Sequence, residues 1–427
     1  MRYLKKGDSL ERLISKIYKT SLFALITILI SKLIWFPIRI FLARLGPENF
    51  GNFLLGTSLI AFFVYASNIF INASVIKRVS RILQQEKKNK LKVYFTSHFV
   101  FVLIQSLIIL FIAYILNIFF IDYIFPNSQI KEILFILGIL IPLKALSNFC
   151  YSFLVGINKI KIDFFFRNIL TNLLFLSFIL VQNKSEIDIQ RISISYVAAN
   201  SITFLILLYI LRKQFVLNYS IRNKELKNSI LVSAPLFLGY FASSIIYHID
   251  NYSIGFFLDS SQIGIYGVSV TLVTLAMTLP LVINPIIFRY LSDMFYNDRY
   301  SKFKNNFWML FWQINLLKLV SVIILLLFIE QAIQIIFGAE YIYSLNIVII
   351  LIIGKFFHEN PLQFLLILHN KTKVLMLLTT ILAISNLLLN IVMISFLGII
   401  GVAISTSSIM ILSFIITISY LKRENLI

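Results

Sequence analysis

The stretch VIILIIGKFFHENPLQFLLIL, residues 348–368, is apolar at both ends and polar in its middle. A helix needs about 20 mostly apolar residues to cross the hydrocarbon core of a bilayer, and this stretch is long enough. Lys355, His358, Glu359 and Pro361 interrupt it. Ionisable groups inside a membrane are costly and usually serve a function. The stretch therefore predicts a membrane-spanning helix that also carries a functional position.

The composition places the whole chain in the same class. Of its 427 residues, 59% are hydrophobic and only 13% are charged. This leaves too little polar surface for a soluble protein, so the chain is predicted to be a membrane protein. The formal net charge is +20, and the placement of lysine and arginine decides whether it reflects membrane topology or nucleic-acid binding.

Apolar runs separated by polar or turn-forming segments follow one another along the chain. No segment shows the two-residue alternation that is typical of a strand. The sequence therefore predicts an all-α integral membrane protein with about twelve transmembrane helices. The runs cover residues 21–41, 53–74, 95–120, 133–155, 166–182, 192–211, 230–256, 263–288, 307–329, 344–368, 374–395 and 399–420.

The basic residues predict the orientation of these spans. If the N-terminus is cytoplasmic, 29 of the 38 lysines and arginines fall in cytoplasmic segments, 4 in outer loops and 5 within spans. Such an excess is typical of the cytoplasmic side, so both termini are predicted to be cytoplasmic. The split also accounts for the net charge without nucleic acid.

Two pairs of short motifs recur at nearly one offset. INKIK at 157–161 and HNKTK at 369–373 lie 212 residues apart, and NFGNFLLG at 49–56 and QIGIYGVS at 262–269 lie 213 apart. Their equivalent topological positions indicate a duplication. The sequence predicts two parallel six-helix lobes, residues 1–213 and 214–427, around a central cavity at their junction.

Seven ionisable residues fall inside the predicted spans. They are Lys32, Arg39, Lys144, Lys318, Lys355, Asp250 and Glu359. The four lysines are predicted to lie at one depth, where a lipid-facing lysine costs about 2.5–3.5 kcal/mol, so they are expected to face a wet cavity. Two acids cannot neutralise five cations, which predicts an anionic substrate bound by the five basic residues.

The repeat adds a second argument. Lys144 maps within one residue of Lys355, and Pro142 maps onto Gly354, so spans 4 and 10 each combine a helix weak point with a midplane lysine. Interrupted helices at equivalent points of two halves are typical of transporter binding sites. A structural alternative remains open, since Lys355 and Glu359 are spaced to neutralise each other on one helix.

The two acids are candidates for ion coupling. Asp250 and Glu359 are predicted to bind Na⁺ or H⁺, and the alternative for Asp250 is a carboxylate that ends in water near the outer interface. No cofactor or metal is expected, because the four histidines lack metal-ligand spacing and no phosphate-binding glycine loop occurs. With no long outer loop, the chain is predicted not to be an enzyme.

Four segments resemble a known family. They are RLGPENFGNFLLGTS at 44–58, SIIYHIDNYSIGFFLDSSQIGIYGVS at 244–269, IIFGAEYIYS at 335–344, and NKTKVLMLLTTILAISNLLLNIVMISFLGIIGVAIST at 370–406. They resemble the polysaccharide (O-antigen type, Wzx-like) flippases of the multidrug/oligosaccharidyl-lipid/polysaccharide exporter superfamily. The likeness covers most of the chain and is strongest in its second half.

The resemblance implies a function in surface polysaccharide biosynthesis, such as O-antigen lipopolysaccharide or capsule. It implies two lobes in a V that carry an undecaprenyl-diphosphate-linked oligosaccharide across the bacterial inner membrane by alternating access, coupled to an ion. Lipid-linked oligosaccharide and membrane lipids would be its partners, with a polysaccharide polymerase and other export machinery as further candidates. Two alternatives stay open, namely a multidrug antiporter of the same fold and a membrane polysaccharide polymerase.

Overall fold

A computed structural model of the chain describes residues 10–68, 73–86, 88–125, 130–182, 188–216, 247–296, 300–358, 360–424 and 426. Within these ranges the secondary structure is helical and contains no strand. In the first half the α-helices are α1 Leu10–Ala43, α2 Pro47–Ala66, α3 Ala73–Gln84, α4 Lys88–Phe119, α5 Ile121–Ile124, α6 Ile130–Gly138, α7 Leu140–Gly156, α8 Ile160–Phe165, α9 Thr171–Val181 and α10 Ile189–Leu211. In the second half they are α11 at 247–257, α12 Ser260–Ala276, α13 Thr278–Tyr296, α14 Tyr300–Ala332, α15 Ser344–His358, α16 Leu362–Leu368 and α17 Thr372–Arg423.

The helices match the predicted spans closely. Among the described residues, eight helices are long and apolar enough to cross a membrane, and the bent pairs α6–α7 and α12–α13 raise the number to ten. The 52-residue α17 contains a non-helical residue at Gly398, which divides it into the last two predicted spans. The predicted run 230–256 lies mostly outside the described residues. The all-α, multi-pass membrane fold is therefore confirmed.

Apolar cores lie within each half of the chain and also between the halves, and we call the two halves lobes. One core contains residues of both halves, including Ile38, Phe53, Ile263 and Ile347. A second core lies wholly within the first half, between Val75 and Leu211, and a third wholly within the second half, between Ile287 and Leu421. The two lobes therefore share one core, and each lobe also has a core of its own.

Two glycines lie where the backbones of the two lobes approach closely. A Cβ atom added to Gly51 would lie 1.6 Å from the backbone oxygen of Ser260, and one added to Gly264 would lie 2.0 Å from that of Pro47. Under the offset of 213, Gly51 corresponds to Gly264 and Pro47 to Ser260. The contact is therefore reciprocal, as at the interface of two copies related by a two-fold axis.

The links at 157–161 and 369–373, which are equivalent in the two predicted halves, end their helices in the same way. Asn158 and Asn370 both have positive φ, 67° and 58°. The next residue in each link bonds back to the helix: Lys159 N donates to Leu154 O, and Lys371 N donates to Leu366 O. Asparagine is among the few residues that adopt this left-handed conformation readily. The match is what a duplication predicts.

Polar contacts also join the two lobes beside the shared core, at what we call the latched end. The guanidinium of Arg44 donates to the carbonyls of Ile335 and Ile336, at 3.0 and 2.9 Å, and Tyr341 Oη donates to Ala43 O at 2.6 Å. Deeper in the bundle, Ser58 of α2 accepts from two side chains of α11. Asn251 Nδ2 donates to its hydroxyl oxygen at 2.9 Å and Tyr252 Oη to its carbonyl at 2.7 Å.

Candidate functional site

The first group of predicted cations lies on α1, between the lobes. Lys32 and Arg39 are seven residues apart, two helical turns, and line one small cavity of about 80 Å³ together with Trp35 of the same helix. The opposite wall is formed by the second half, mainly Thr271 and Thr274 of α12. The cavity thus joins a basic face of the first lobe to a hydroxyl-rich face of the second.

Cations crowd this cavity. Arg39 and Lys355 both act electrostatically on the half-buried Lys32, although Lys355 of α15 does not line the cavity itself. The Arg39 guanidinium carbon lies 5.3 Å from the ring centre of Trp35 and 5.6 Å from that of Phe50, positions that favour cation–π attraction. Among the residues that the structure describes, neither Lys32 nor Arg39 has a carboxylate within ion-pair distance.

Lys144 of α7 extends the basic region within the first lobe. Its ammonium donates to Tyr196 Oη at 2.8 Å and lies 4.8 Å from the ring centre of that tyrosine. His248 of α11 is within electrostatic range of both Lys144 and Arg39. Lys32 and Arg39 thus share a cavity, Lys355 lies within electrostatic range of Lys32, and Lys144 lies within electrostatic range of His248; we call these four basic residues the cationic cluster.

Lys318 lies elsewhere, and its placement differs from the expectation of a wet cavity. Its side chain is 0% exposed, and its ammonium donates to the carbonyl of Phe356 at 2.7 Å. That carbonyl belongs to the last turn of α15, where carbonyls lack a helical partner and a positive charge is favourable. Lys318 thus caps the helix that carries Lys355.

The break in span 10 lies at Asn360 and Pro361, not at Gly354. The Asn360 side chain donates to the carbonyls of Phe357 and His358 and accepts from Leu362 N, so it satisfies the backbone groups that the break leaves open. Gly354 serves close packing instead, because a Cβ there would lie 2.6 Å from Ser407 Cα of α17. Glu359, the second predicted coupling acid, lies outside the described residues.

Asp250 of α11 is the centre of a polar network within the second lobe. Its Oδ2 accepts from Tyr266 Oη at 2.6 Å, and its Oδ1 accepts from Asn390 Nδ2 at 3.0 Å and Thr406 Oγ1 at 2.9 Å. The carboxylate therefore ties together α11, α12 and both arms of α17. Lys355 also acts on it electrostatically, which places the network beside the cationic cluster.

The residues around Asp250 were not among the predicted site residues. Asn386 and Asn390 are spaced by one helical turn, both are buried, and Asn386 Oδ1 lies 3.5 Å from Thr406 Oγ1. Asn390 Oδ1 is buried without a hydrogen-bond partner among the described residues. The sequence signal was two asparagines four residues apart in an otherwise apolar helix, a pattern that predicts a polar contact rather than lipid exposure.

Comparison with known proteins assigns the family. A profile of the family described as polysaccharide biosynthesis protein matches residues 17–291. A comparison with characterised proteins by sequence finds no match.

Three solved structures share the fold. The inward-facing conformation of a multidrug resistance MATE family transporter of the MOP superfamily has a TM-score of 0.72 at 14% identity, covering 95% of this chain and 98% of that one. Lipid II flippase MurJ in its inward closed conformation has a TM-score of 0.67 at 19% identity, covering 91% of this chain and 87% of that one. The outward-facing conformation of a multidrug resistance MATE family transporter of the MOP superfamily has a TM-score of 0.58 at 15% identity, covering 95% of this chain and 95% of that one.

Proposed function

Because this chain belongs to the family of polysaccharide biosynthesis proteins and has the fold of MOP-superfamily transporters, we propose that it flips a lipid-linked oligosaccharide. The proposed substrate is an undecaprenyl-diphosphate-linked repeat unit of a surface polysaccharide, carried from the cytoplasmic to the outer leaflet of the bacterial inner membrane. The protein acts as a transporter and not as an enzyme.

The observation that carries the proposal is the cationic cluster. Lys355 of the cluster acts electrostatically on one carboxylate, Asp250, and that carboxylate already accepts three hydrogen bonds from neutral side chains. A group of four cations favours a multivalent anion, and a diphosphate combines charge with acceptor oxygens for arginine and lysine. A cationic drug, the typical cargo of a multidrug antiporter, would be repelled at the same place.

Alternating access fits the arrangement of the two lobes. The loops at the latched end carry few basic residues, so by the positive-inside rule we assign this end to the outside and both termini to the cytoplasm. The lobes are residues 1–213 and 214–427. The higher TM-score against the inward-facing transporter than against the outward-facing one supports a state closed to the outside.

Ion coupling is assigned to the network around Asp250, with Glu359 as a second candidate acid. The oxygens of Asp250, Asn386, Asn390 and Thr406 provide ligands of the kind that hard cations prefer, and the carboxylate alone suffices to take up a proton. Neutralising the Asp250 charge would then remove its electrostatic attraction for the neighbouring Lys355. Coupling between the ion site and the substrate site follows from this proximity.

Single alanine substitutions of the cationic cluster test the proposed function. We expect Lys32→Ala, Arg39→Ala and Lys355→Ala each to lower glycan export in cells about tenfold to a hundredfold, because each removes a charge-assisted hydrogen bond to the diphosphate. Surface glycan is measured at equal levels of protein in the membrane.

Lys131→Ala is the matched control, since Lys131 is exposed and pairs with Asp122 at 2.6 Å, and it is expected to export normally. Lys318→Ala is expected to act indirectly, through the loosened end of α15. Normal export by all the cluster variants would contradict the assignment of the substrate site.

A further inference from the structure

A second polar cavity lies farther along the same helices that carry Lys355 and Thr278. It has a volume of about 370 Å³, within the range of ligand pockets, and lies between α13 and the break that follows α15. Asn284, Gln363 and His358 contribute its polar groups, and Phe288 and Phe364 its aromatic wall. We call it the amide pocket.

The chemistry of the amide pocket contrasts with that of the cationic cluster. Its lining contains no lysine, arginine, aspartate or glutamate among the described residues. The amide of Gln363 makes no hydrogen bond to another described residue, and Asn284 Oδ1 is buried without a partner among them. Amide groups both donate and accept, so they suit an uncharged ligand that carries hydroxyls.

The aromatic wall further limits the kinds of ligand that fit the pocket. The rings of Phe288 and Phe364 lie with their centres 4.9 Å apart at 55°, and both are half-buried at the cavity. A ligand that contacts both walls needs an apolar face as well as polar edges. A pyranose ring has this form, with C–H groups on its face and hydroxyls around its edge.

Two helices connect the amide pocket with the cationic cluster. Along α15, His358 follows Lys355 by three residues on the same face, a rise of about 4.5 Å. Along α13, Asn284 follows Thr278 of the cationic cavity by six residues, a rise of about 9 Å. The amide pocket therefore lies within about 9 Å of Lys355 and of the cationic cavity along these helices, in the direction away from the latched end.

We propose that the amide pocket binds the first sugar of the lipid-linked glycan while the cationic cluster holds its diphosphate. The inference rests on the proposed function and adds the contact that distinguishes a glycosylated lipid from a bare one. Asn284 and Gln363 hydrogen-bond the sugar hydroxyls, and Phe288 and Phe364 pack on its ring. His358, which lines the same pocket, would then contact the bound sugar.

The test compares bare and glycosylated lipids with purified protein in lipid nanodiscs. The probes are undecaprenyl diphosphate and a panel of the same lipid carrying one glucose, one galactose or one N-acetylglucosamine. Wild-type protein is expected to bind at least one glycosylated probe about tenfold more tightly than the bare lipid. The double variant Asn284→Ala, Gln363→Ala is expected to lose this preference and to keep its affinity for the bare lipid.

The controls separate the sugar site from the transport proposal. Asn315→Ala removes a half-buried amide that bonds to its own helix, and it is expected to keep the preference. Lys32→Ala is expected to weaken the binding of every probe by the same factor. Equal wild-type affinity for bare and glycosylated lipids overturns the sugar site alone, and this result requires no variant to fold. Failure of all probes to bind overturns the proposed function and the sugar site together.

Discussion

Asp250→Asn is expected to abolish most glycan export. The substitution keeps the size of the side chain but removes its charge, and it turns an amide toward Tyr266, Asn390 and Thr406, which all donate to the carboxylate. The loss of one charged acceptor in a buried network corresponds to about 1.5–3 kcal/mol, or roughly a tenfold to hundredfold reduction in ion binding. Export in cells and ion-driven transport in proteoliposomes measure the effect.

Two variants distinguish lost coupling from lost structure. Tyr266→Phe removes one donor and leaves the carboxylate charged, so we expect it to retain more export than Asp250→Asn. Asp122→Asn neutralises an exposed acid paired with Lys131 and is expected to be silent. Collapse of the sodium or the proton gradient separately identifies the ion. Asp250→Asn protein that still transports in a gradient-dependent manner would remove Asp250 from the coupling site.

Gly51→Ala is expected to hold the latched end open and to stop transport. The new Cβ would lie 1.6 Å from the backbone oxygen of Ser260, and a backbone atom cannot move aside as a side chain can. Overpacking usually costs about 1–3 kcal/mol, enough to shift the balance between closed and open forms about tenfold to a hundredfold. The equivalent Gly264→Ala, which meets Pro47 O at 2.0 Å, is expected to behave alike.

A cysteine probe reports the position of the latch directly. Ser58 is 2% exposed, and the only native cysteine, Cys150, is buried, so Ser58→Cys is expected to label slowly with an impermeant thiol reagent added outside. Adding Gly51→Ala is expected to accelerate labelling. Gly56→Ala, on the same helix, meets only side chains at 3.1 and 3.2 Å and is the matched control. Unchanged labelling together with normal export would show that the glycine contact is not a gate.

The sequence predicted the fold because hydrophobic length is a local property. Apolar runs and basic loops determine spans and orientation without reference to partners. The offset between Gly51 and Gly264 also appeared in the sequence, but their mutual contact did not, because motif matching does not show which surfaces meet. The sequence indicated Gly354 as a weak point of span 10, whereas α15 continues past it to His358 and α16 begins after Pro361.

The site was predicted in part, since charge inside a span is visible in sequence but its neighbours are not. Lys32 and Arg39 share a cavity because a two-turn spacing keeps them on one face. Lys318 looked identical to them in sequence, yet it caps a carbonyl of α15, a contact that depends on how two helices pack. The partners of Asp250 were missed because Tyr266, Asn390 and Thr406 come from two different helices, and Asn390 and Thr406 lie on opposite sides of the non-helical Gly398.

Reconstituted flipping tests the central claim most directly. Purified protein is placed in proteoliposomes whose inner leaflet contains an undecaprenyl-diphosphate-linked oligosaccharide, and an enzyme that cannot cross the membrane reports glycan reaching the outer leaflet. We predict ion-dependent appearance of the glycan with wild-type protein, a severalfold or greater loss with Arg39→Ala, and normal rates with Lys131→Ala. Appearance no faster than in protein-free liposomes, or full activity of Arg39→Ala, would contradict the account.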